Sequence, residues 1–298
     1  MASVPSLLPH KYQPLPDDAQ TRILELQPST GGTAAQLCCR LRNFDVYGDT
    51  EYQAVSYAWG EPRFTEPLVV DDDYYLMTTP NFRDALLRFR LPDRPRRLWV
   101  DAVCINQKDE KEKGRQIPFM SMIYSGATRV LVWLGDYPRA ADSIWELEQL
   151  WVIQEVVLNP DVTLYCGSAM LSWTRFAQAV RLIENQPLWP SLPSTVCDLW
   201  ILRMFGGNVA PRFDAVKFLQ DLSVAKCFDD RDKIWAMSAL ATDLEIRKPD
   251  AGAFNDSNKL CLEVDYSMDA GQLYLEFAKR TGGFRHSERR MSKAASFG

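Results

Sequence analysis

The chain has 298 residues, of which 46% are hydrophobic, and its 34 basic and 39 acidic side chains give a net charge of −5 at pH 7. This length and apolar content suffice for a large core, whereas the negative charge argues against nucleic acid or an acidic membrane surface as a main partner. No apolar run approaches the ~18 residues that cross a bilayer, and residues 1–16 lack a secretory signal pattern, so we expect a cytoplasmic protein without membrane association.

Cysteines and histidines offer little support for a metal site or a nucleophilic enzyme. The seven cysteines are scattered and include no Cys-x-x-Cys pair, so reduced thiols are the simplest interpretation. The two histidines, His10 and His286, lie in terminal segments, which argues against Ser-His-Asp or Cys-His catalysis and against a histidine-rich metal site. We therefore predict no metal ion and no required cofactor.

The N-terminal part of the chain is rich in short β-prone runs. The third run, residues 52–58, leads into a tight loop that contains Trp59 and Gly60. The last two runs flank Asp71–Asp73 and form a predicted hairpin. For this acidic triplet a solvated turn is favoured over a cation site. Strands are predicted, in order, over residues 22–26, 36–44, 52–58, 68–70 and 74–76.

From residue 79 onwards, helical and extended patterns alternate. Thr79-Pro80 has the chemistry of a helix start, and apolar residues at helical spacing continue to about Arg90. The run Leu98–Ile105 is apolar except for Asp101 and predicts a strand buried on both faces, with Asn106-Gln107 at its end. Helices are then predicted over residues 117–124, 140–158 and 172–184, and strands over residues 129–134 and 162–166. This alternation predicts an α/β fold with an open, mainly parallel sheet flanked by helices, as in flavodoxin-like proteins.

The remaining sequence predicts a helical C-terminal lobe. A segment rich in proline and tryptophan, residues 186–193, marks a boundary, and helical patterns follow over residues 213–227, 230–243 and around Leu273. The basic tail, residues 284–298, has few large apolar residues, and this composition is typical of a disordered segment. We therefore divide the chain into a leader with short strands (1–45), an α/β core (46–185), a helical lobe (186–283) and a tail (284–298).

Four blocks of the sequence stand out: YQAVSYAWG at 52–60, LWVDAVCINQ at 98–107, MIYSGATRVLVWLG at 122–135 and WVIQEV at 151–156. In this order they resemble the heterokaryon-incompatibility (HET) domain family of filamentous fungi. One departure is the short interval between the third and fourth blocks, residues 136–150. The resemblance implies a role in fungal self/non-self recognition and programmed cell death, with a second copy of the chain and an incompatibility partner protein as expected partners.

The HET family is in turn distantly similar to Toll/interleukin receptor (TIR) domains, several of which cleave NAD between nicotinamide and ribose. In TIR domains a first strand ends in Ser-Tyr and a later helix carries Trp, three residues, then Glu, a pattern matched by Ser56-Tyr57 and by Trp151 with Glu155. This resemblance implies Glu155 as the catalytic carboxylate and NAD as substrate. The tentative ligand-binding residues are Ser56, Tyr57, Trp59, Gly60, Asp101, Asn106 and Gln107.

Glycosidic cleavage of NAD needs little from the protein, because nicotinamide leaves as a neutral group from a cationic linkage and a carboxylate can stabilise the oxocarbenium-like ribose. Plainer interpretations remain open. Glu155 fits a solvated helix carboxylate, Asp101 a structural hydrogen bond to the loop at 56–60, and Asn106 and Gln107 partners for loop amides. At the level of function, a non-catalytic self-associating signalling module and an inactive family member are the alternatives to a NAD hydrolase.

Overall fold

A computed structural model gives the fold. It describes residues 7–17, 19–29, 36–57, 63–136, 155–184, 214–216, 219, 229–247 and 259–281. Within these ranges the strands of the main sheet are β1 (Leu8–Pro9), β2 (Gln20–Leu26), β3 (Leu37–Asp45), β4 (Gln53–Tyr57), β5 (Glu66–Val70), β6 (Tyr74–Thr78), β7 (Arg96–Trp99), β8 (Val130–Trp133), β9 (Val162–Cys166) and β10 (Ala169–Ser172). The helices are α1 (Pro80–Phe89), α2 (Asp101–Cys104), α3 (Glu110–Gly126), α4 (Trp173–Glu184) and α5 (Asp232–Met237).

The main sheet has ten strands in the order β1-β6-β5-β3-β2-β7-β4-β8-β9-β10. Its central part, β7-β4-β8-β9, is parallel throughout. Counted along the chain, these four strands follow the order 2-1-3-4 of flavodoxin-like sheets, in which the order reverses beside the first strand. The α/β class and the parallel centre predicted from the sequence are therefore confirmed.

The N-terminal strands extend this parallel centre with antiparallel pairs. β2 lies between β3 and β7 and is antiparallel to both. Ile23, Leu24 and Leu26 of β2 belong to the same buried core as Trp99 and Val132 of the central strands. The segment expected to precede the α/β core thus contributes strands to its sheet.

Local sequence signals place α1 as predicted. Thr79 Oγ1 accepts the backbone N–H of Phe82 at 3.3 Å, and Pro80 is the first helical residue. A capping hydroxyl followed by proline satisfies one N–H and removes another at the helix start. The helix ends at Phe89 and buries Phe82, Leu86 and Phe89 against the sheet.

The strand predicted over Leu98–Ile105 is wrong beyond Trp99. The chain turns into α2 instead, because the N–H groups of Val103 and Cys104 both bond to the Val100 carbonyl, at 3.1 and 2.7 Å. Asp101 favours this turn, since its Oδ1 accepts the N–H of Ala102 at 2.7 Å at the start of the helix. The apolar residues are buried either way, so hydrophobicity alone does not separate a buried strand from a buried helical turn.

Helix α3 begins earlier than predicted. Asp109 Oδ1 accepts the N–H groups of Lys111 and Glu112, at 3.0 and 3.2 Å, so the charged stretch before Ile117 forms the first turns of the helix. The predicted strand at 162–166 and the predicted helix at 172–184 are confirmed as β9 and α4. The Asp71–Asp73 hairpin turn is also present, and Asp71 pairs with Arg42 at 2.9 Å.

The described C-terminal part contains two helices, which are α5 and a further helix over residues 270–281. It also contains a two-stranded parallel sheet of β11 (Leu244–Arg247) and β12 (Leu260–Glu263). The helix predicted over 230–243 ends at Met237, because Asp243 is drawn into this small sheet by the bond from Leu260 N–H to its carbonyl at 2.7 Å. Trp235 and Leu273 join the common core. The predicted helices at 140–158 and 213–227 lie largely outside the described residues, although residues 155–157 are helical. Within the described ranges, no helix is both long and apolar enough to cross a membrane.

Candidate functional site

The candidate site lies at the carboxyl ends of the central parallel strands. Ser56 and Tyr57 are the last two residues of β4, which lies between β7 and β8. Ala54 pairs with Trp99, the last residue of β7, so the end of β4 at Ser56 and Tyr57 lies at the same edge of the sheet as the start of α2 at Asp101. Strand order reverses at β4, and open α/β sheets bind ligands in the crevice at such a position.

Glu155 is buried beside these strand ends, with only 5% of its surface exposed. Burial, and next the nearby Asp101 carboxylate, raise the pKa of Glu155 to about 8. The hydroxyls of Ser56 and Tyr124 face the carboxyl group and partly offset this rise in pKa. In the free protein at neutral pH, Glu155 is therefore mostly protonated, because burial and the neighbouring Asp101 carboxylate disfavour its ionised form.

The buried hydroxyl of Ser56 is the next feature of the site. Among the residues that the structure describes, its Oγ has no partner that meets the distance and angle of a hydrogen bond. The hydroxyl therefore approaches Glu155 closely enough to affect its pKa without forming a well-aligned hydrogen bond. An unpartnered buried hydroxyl costs free energy in the folded state, and it is available to a bound ligand.

Two buried tyrosines complete the surroundings of Glu155. For Tyr57, burial and the carboxylates of Asp101 and Glu155 raise the pKa of the phenol well above its usual range. The Tyr57 ring stacks on Phe82 of α1, with the ring centroids 5.1 Å apart. The pKa of Tyr124 is raised by burial, then by Glu155 and Asp101. Both phenols are therefore neutral hydrogen-bonding groups at physiological pH.

Asp101, Asn106 and Gln107 have structural bonds around α2. Gln107 Nε2 donates to the backbone carbonyl of Asp101 at 2.7 Å. Asn106 donates its backbone N–H to Glu112 Oε1 at 2.7 Å, and its side-chain oxygen accepts the N–H of Lys108 at 3.3 Å. Asp101 thus joins the group around Glu155, whereas Asn106 and Gln107 hold the loop between α2 and α3. In the described part of the chain, neither amide bonds to Ser56 or Glu155. Trp59, Gly60 and Trp151 lie outside the described residues.

A buried ion pair next to α2 was not predicted from the sequence. Arg22 of β2 donates to both carboxylate oxygens of Glu112, at 2.5 and 3.0 Å, and to the Cys104 carbonyl at 3.1 Å. The Tyr12 ring lies 4.9 Å from the guanidinium carbon, and its hydroxyl donates to the Val103 carbonyl at 2.9 Å. These contacts tie the N-terminal segment to the helix that begins at Asp101.

Tyr124 was also missed as a site residue. Its spacing from Ile117 and Met120 on an amphipathic helix predicts a core residue. The structure confirms this, since 0% of the surface of Tyr124 is exposed. Only the packing of α3 against β4 brings its hydroxyl to Glu155. No local sequence signal reports such a contact between distant segments.

The assembled groups are two carboxyl groups and three hydroxyls, and no Lys or Arg side chain of the described chain offsets the burial of Glu155. A site of this kind suits a ligand that carries positive charge and hydroxyl groups. Fold and site together define the class: an open α/β protein with a candidate site at the reversal point of its sheet, where the Glu155 carboxyl group is buried.

Comparison with known proteins then gives the family. Residues 52–179 match the family model described as Heterokaryon incompatibility protein (HET). Over 144 residues the chain is 32% identical to the heterokaryon incompatibility protein 6, OR allele, of Neurospora crassa, a match that covers 43% of this chain and 21% of the relative. The chain therefore contains a domain of the HET family, and its matched part spans about a fifth of this curated relative. No solved structure matches the chain at comparable significance.

Proposed function

We propose that this protein acts in heterokaryon incompatibility, as a cytoplasmic module of fungal self/non-self recognition whose activation leads to cell death. The HET domain over residues 52–179 carries this proposal, together with the similarity to a Neurospora crassa protein named for heterokaryon incompatibility. A second copy of the chain and an incompatibility protein are the partners that this role requires.

For the chemistry of the site we propose NAD cleavage at the bond between nicotinamide and ribose. The observation that carries this proposal is the buried Glu155 beside Asp101 and the unpartnered Ser56 hydroxyl. The bond that breaks is the glycosidic C–N bond, whose electron pair leaves with nicotinamide. Water then adds to ribose C1 and releases a proton. Carboxylates stabilise the positive charge that develops on the ribose in this step.

The protonation of Glu155 fits a cationic substrate. In the free protein its pKa of about 8 keeps the carboxyl group mostly neutral at pH 7. A positively charged nicotinamide ribosyl group would lower this pKa, because an opposite charge nearby favours the ionised form. In this proposal the Ser56 hydroxyl donates to a ribose hydroxyl or to the newly ionised Glu155.

The test is an NAD turnover assay with concentrated full-length protein, in which nicotinamide and ADP-ribose are separated and quantified. We expect release of both products by the native protein and loss of release by Glu155→Gln. The matched control is Glu263→Gln, which changes an exposed glutamate of β12. Unchanged NAD with the native protein at high concentration would overturn the enzymatic proposal, as would full activity of Glu155→Gln.

A second candidate function is a non-catalytic signalling module that acts by self-association. The observation that favours it is β10, the last strand of the sheet, whose four residues are all exposed, with Met170 at 67%. Exposed edge strands pair readily with strands of another chain. Light scattering over a wide concentration range tests this function: concentration-dependent oligomers that Met170→Lys abolishes are expected, and monomers throughout would contradict it.

A further inference from the structure

A stretch that follows α1 concentrates positive charge in a chain whose net charge is negative. Residues 88–97 contain five arginines, no lysine and a single carboxylate, Asp93, whereas the whole chain has a net charge of −5. The stretch joins the last turn of α1 to the first residues of β7, so regular structure holds both of its ends. Like charges gathered in this way repel one another and destabilise the fold unless an anion offsets them.

Two arginines of this stretch, Arg88 and Arg96, are held in place by neutral groups. Arg88 donates from Nε and Nη2 to backbone carbonyls of the turn between β9 and β10, at 3.1 and 3.2 Å. Arg96 donates from Nε to Gln53 Oε1 at 2.6 Å and from Nη1 to the Phe89 carbonyl at 2.7 Å. These bonds use two of the five N–H donors of each guanidinium group and leave its positive charge in place.

The two guanidinium groups also lie on aromatic rings that contact each other. Arg88 Cζ is 5.0 Å from the centre of the Tyr165 ring, and Arg96 Cζ is 5.6 Å from the centre of the Phe89 ring. The two rings meet edge to face, with their centroids 5.1 Å apart. Both rings are buried, whereas both arginines are partly exposed. The two positive charges therefore have a rigid support and face solvent in part.

Arginines next to this pair show a different arrangement. Arg97, which follows Arg96 in β7, pairs with Glu25 at 3.1 Å. Arg129, which directly precedes β8, pairs with Asp161 at 2.7 Å. Carboxylates are thus available in this part of the protein, yet among the residues that the structure describes none forms a salt bridge with Arg96. The same holds for the arginine on the Tyr165 ring.

We propose that Arg88 and Arg96, together with the exposed Arg94 of the loop between them, bind a soluble ligand that carries two or more phosphate groups. A phosphate group carries about −1.5 to −2 charges at pH 7 and accepts several hydrogen bonds, so two of them match three guanidinium groups within a small area. The carboxylates of a protein segment carry one charge each and are spaced along a chain, so they match this area less well.

The surroundings of the three arginines favour a soluble ligand over a lipid headgroup. Surfaces that bind membranes combine basic residues with apolar side chains that enter the lipid. Among the described residues, no large apolar side chain between Arg88 and Arg97 is exposed. The loop thus offers charge without an apolar anchor.

This phosphate site is separate from the candidate site around Glu155. Arg96 and its partner Gln53 are the first residues of β7 and β4, whereas Ser56 lies at the opposite end of β4. The inference therefore does not depend on NAD cleavage, and either proposal can fail without the other.

The experiment is isothermal titration calorimetry of the full-length protein with inorganic tripolyphosphate at fixed ionic strength. We expect binding by the native protein and a loss of affinity of about tenfold in each of Arg88→Gln and Arg96→Gln, because each variant lacks one charge-assisted contact. The matched control is Arg97→Gln, which removes the same charge from the next residue of the strand, whose side chain points to the other face of the sheet. Its affinity should equal that of the native protein.

Two results of this titration would overturn the proposal. One is a native protein that does not bind tripolyphosphate. The other is an equal loss of affinity in Arg96→Gln and Arg97→Gln, which would show general attraction to positive charge and no defined site.

A further variant covers the case in which Arg88→Gln and Arg96→Gln do not fold. Arg94 is exposed, so Arg94→Glu reverses a charge without disturbing the core, and it should weaken tripolyphosphate binding at least about tenfold. Unchanged affinity in Arg94→Glu contradicts the proposal. Co-sedimentation with phosphatidylcholine vesicles that contain phosphatidylinositol bisphosphate separates the two sources of phosphate. Binding to these vesicles without binding to tripolyphosphate would refute a soluble ligand.

Discussion

The buried carboxyl group of Glu155 should make the stability of the fold depend on pH. Its pKa is raised from the ordinary value of 4.5 to about 8, so the folded protein keeps a proton that the unfolded chain has lost between these values. Stability from this group is fully present below pH 4.5 and is lost as pH rises through about 8. At about 1.4 kcal/mol per pH unit, the loss is on the order of 5 kcal/mol of unfolding free energy.

The substitution Glu155→Gln removes this titration with little change in side-chain volume. We expect the native protein to lose unfolding free energy relative to Glu155→Gln as the pH rises, with a difference that grows from pH 5 to pH 8 and then levels off. Urea denaturation at several pH values measures this, with Glu263→Gln as the exposed control. A Gln variant with the same pH dependence as the native protein would refute the assignment of a buried, protonated glutamate.

Three further outcomes are expected. If the carboxylate of Glu155 is the active form, kcat/KM for nicotinamide release should rise about tenfold per pH unit up to about pH 8 and then level off; a flat profile between pH 6 and 8 would contradict this. Glu112→Ala leaves Arg22 buried without its anion and should cost about 3–5 kcal/mol in urea denaturation, whereas a loss below about 1 kcal/mol would show that the pair is unimportant. Thr79→Ala removes the hydroxyl that caps α1 at the Phe82 N–H and should lower stability by about 1 kcal/mol, with no effect expected on the Glu155 titration.

Local signals in the sequence were enough for much of the α/β core. Thr79-Pro80 identified the start of α1, and the apolar runs identified β4, β8 and β9 together with their parallel arrangement. Because the carboxyl ends of parallel strands share one edge of a sheet, the sequence also led to Ser56 and Asn106 as neighbours, whereas Asn106 bonds to Glu112 and Lys108 in the structure. The functional roles of Ser56, Asp101 and Glu155 stay predictions.

The remaining features depend on contacts between distant segments. The pair of Arg22 and Glu112 joins residues 90 positions apart, and neither residue has a local pattern that announces burial. Tyr124 is placed beside Glu155 by the packing of a helix on a strand. At α2 the difficulty was of another kind, because a buried helical turn and a buried strand have the same apolar sequence.

The position of β2 has a practical meaning for anyone who divides this protein into pieces. The segment that matches the family, residues 52–179, begins after β2 and β3 have already passed. A fragment that begins at residue 52 would lack β2, so the backbone groups of β7 that pair with β2 would have no hydrogen-bond partner. Glu112 would also lose its salt bridge with Arg22. Such a fragment should aggregate during expression. The stretch that sequence comparison delimits as a domain is thus smaller than the sheet to which its strands belong.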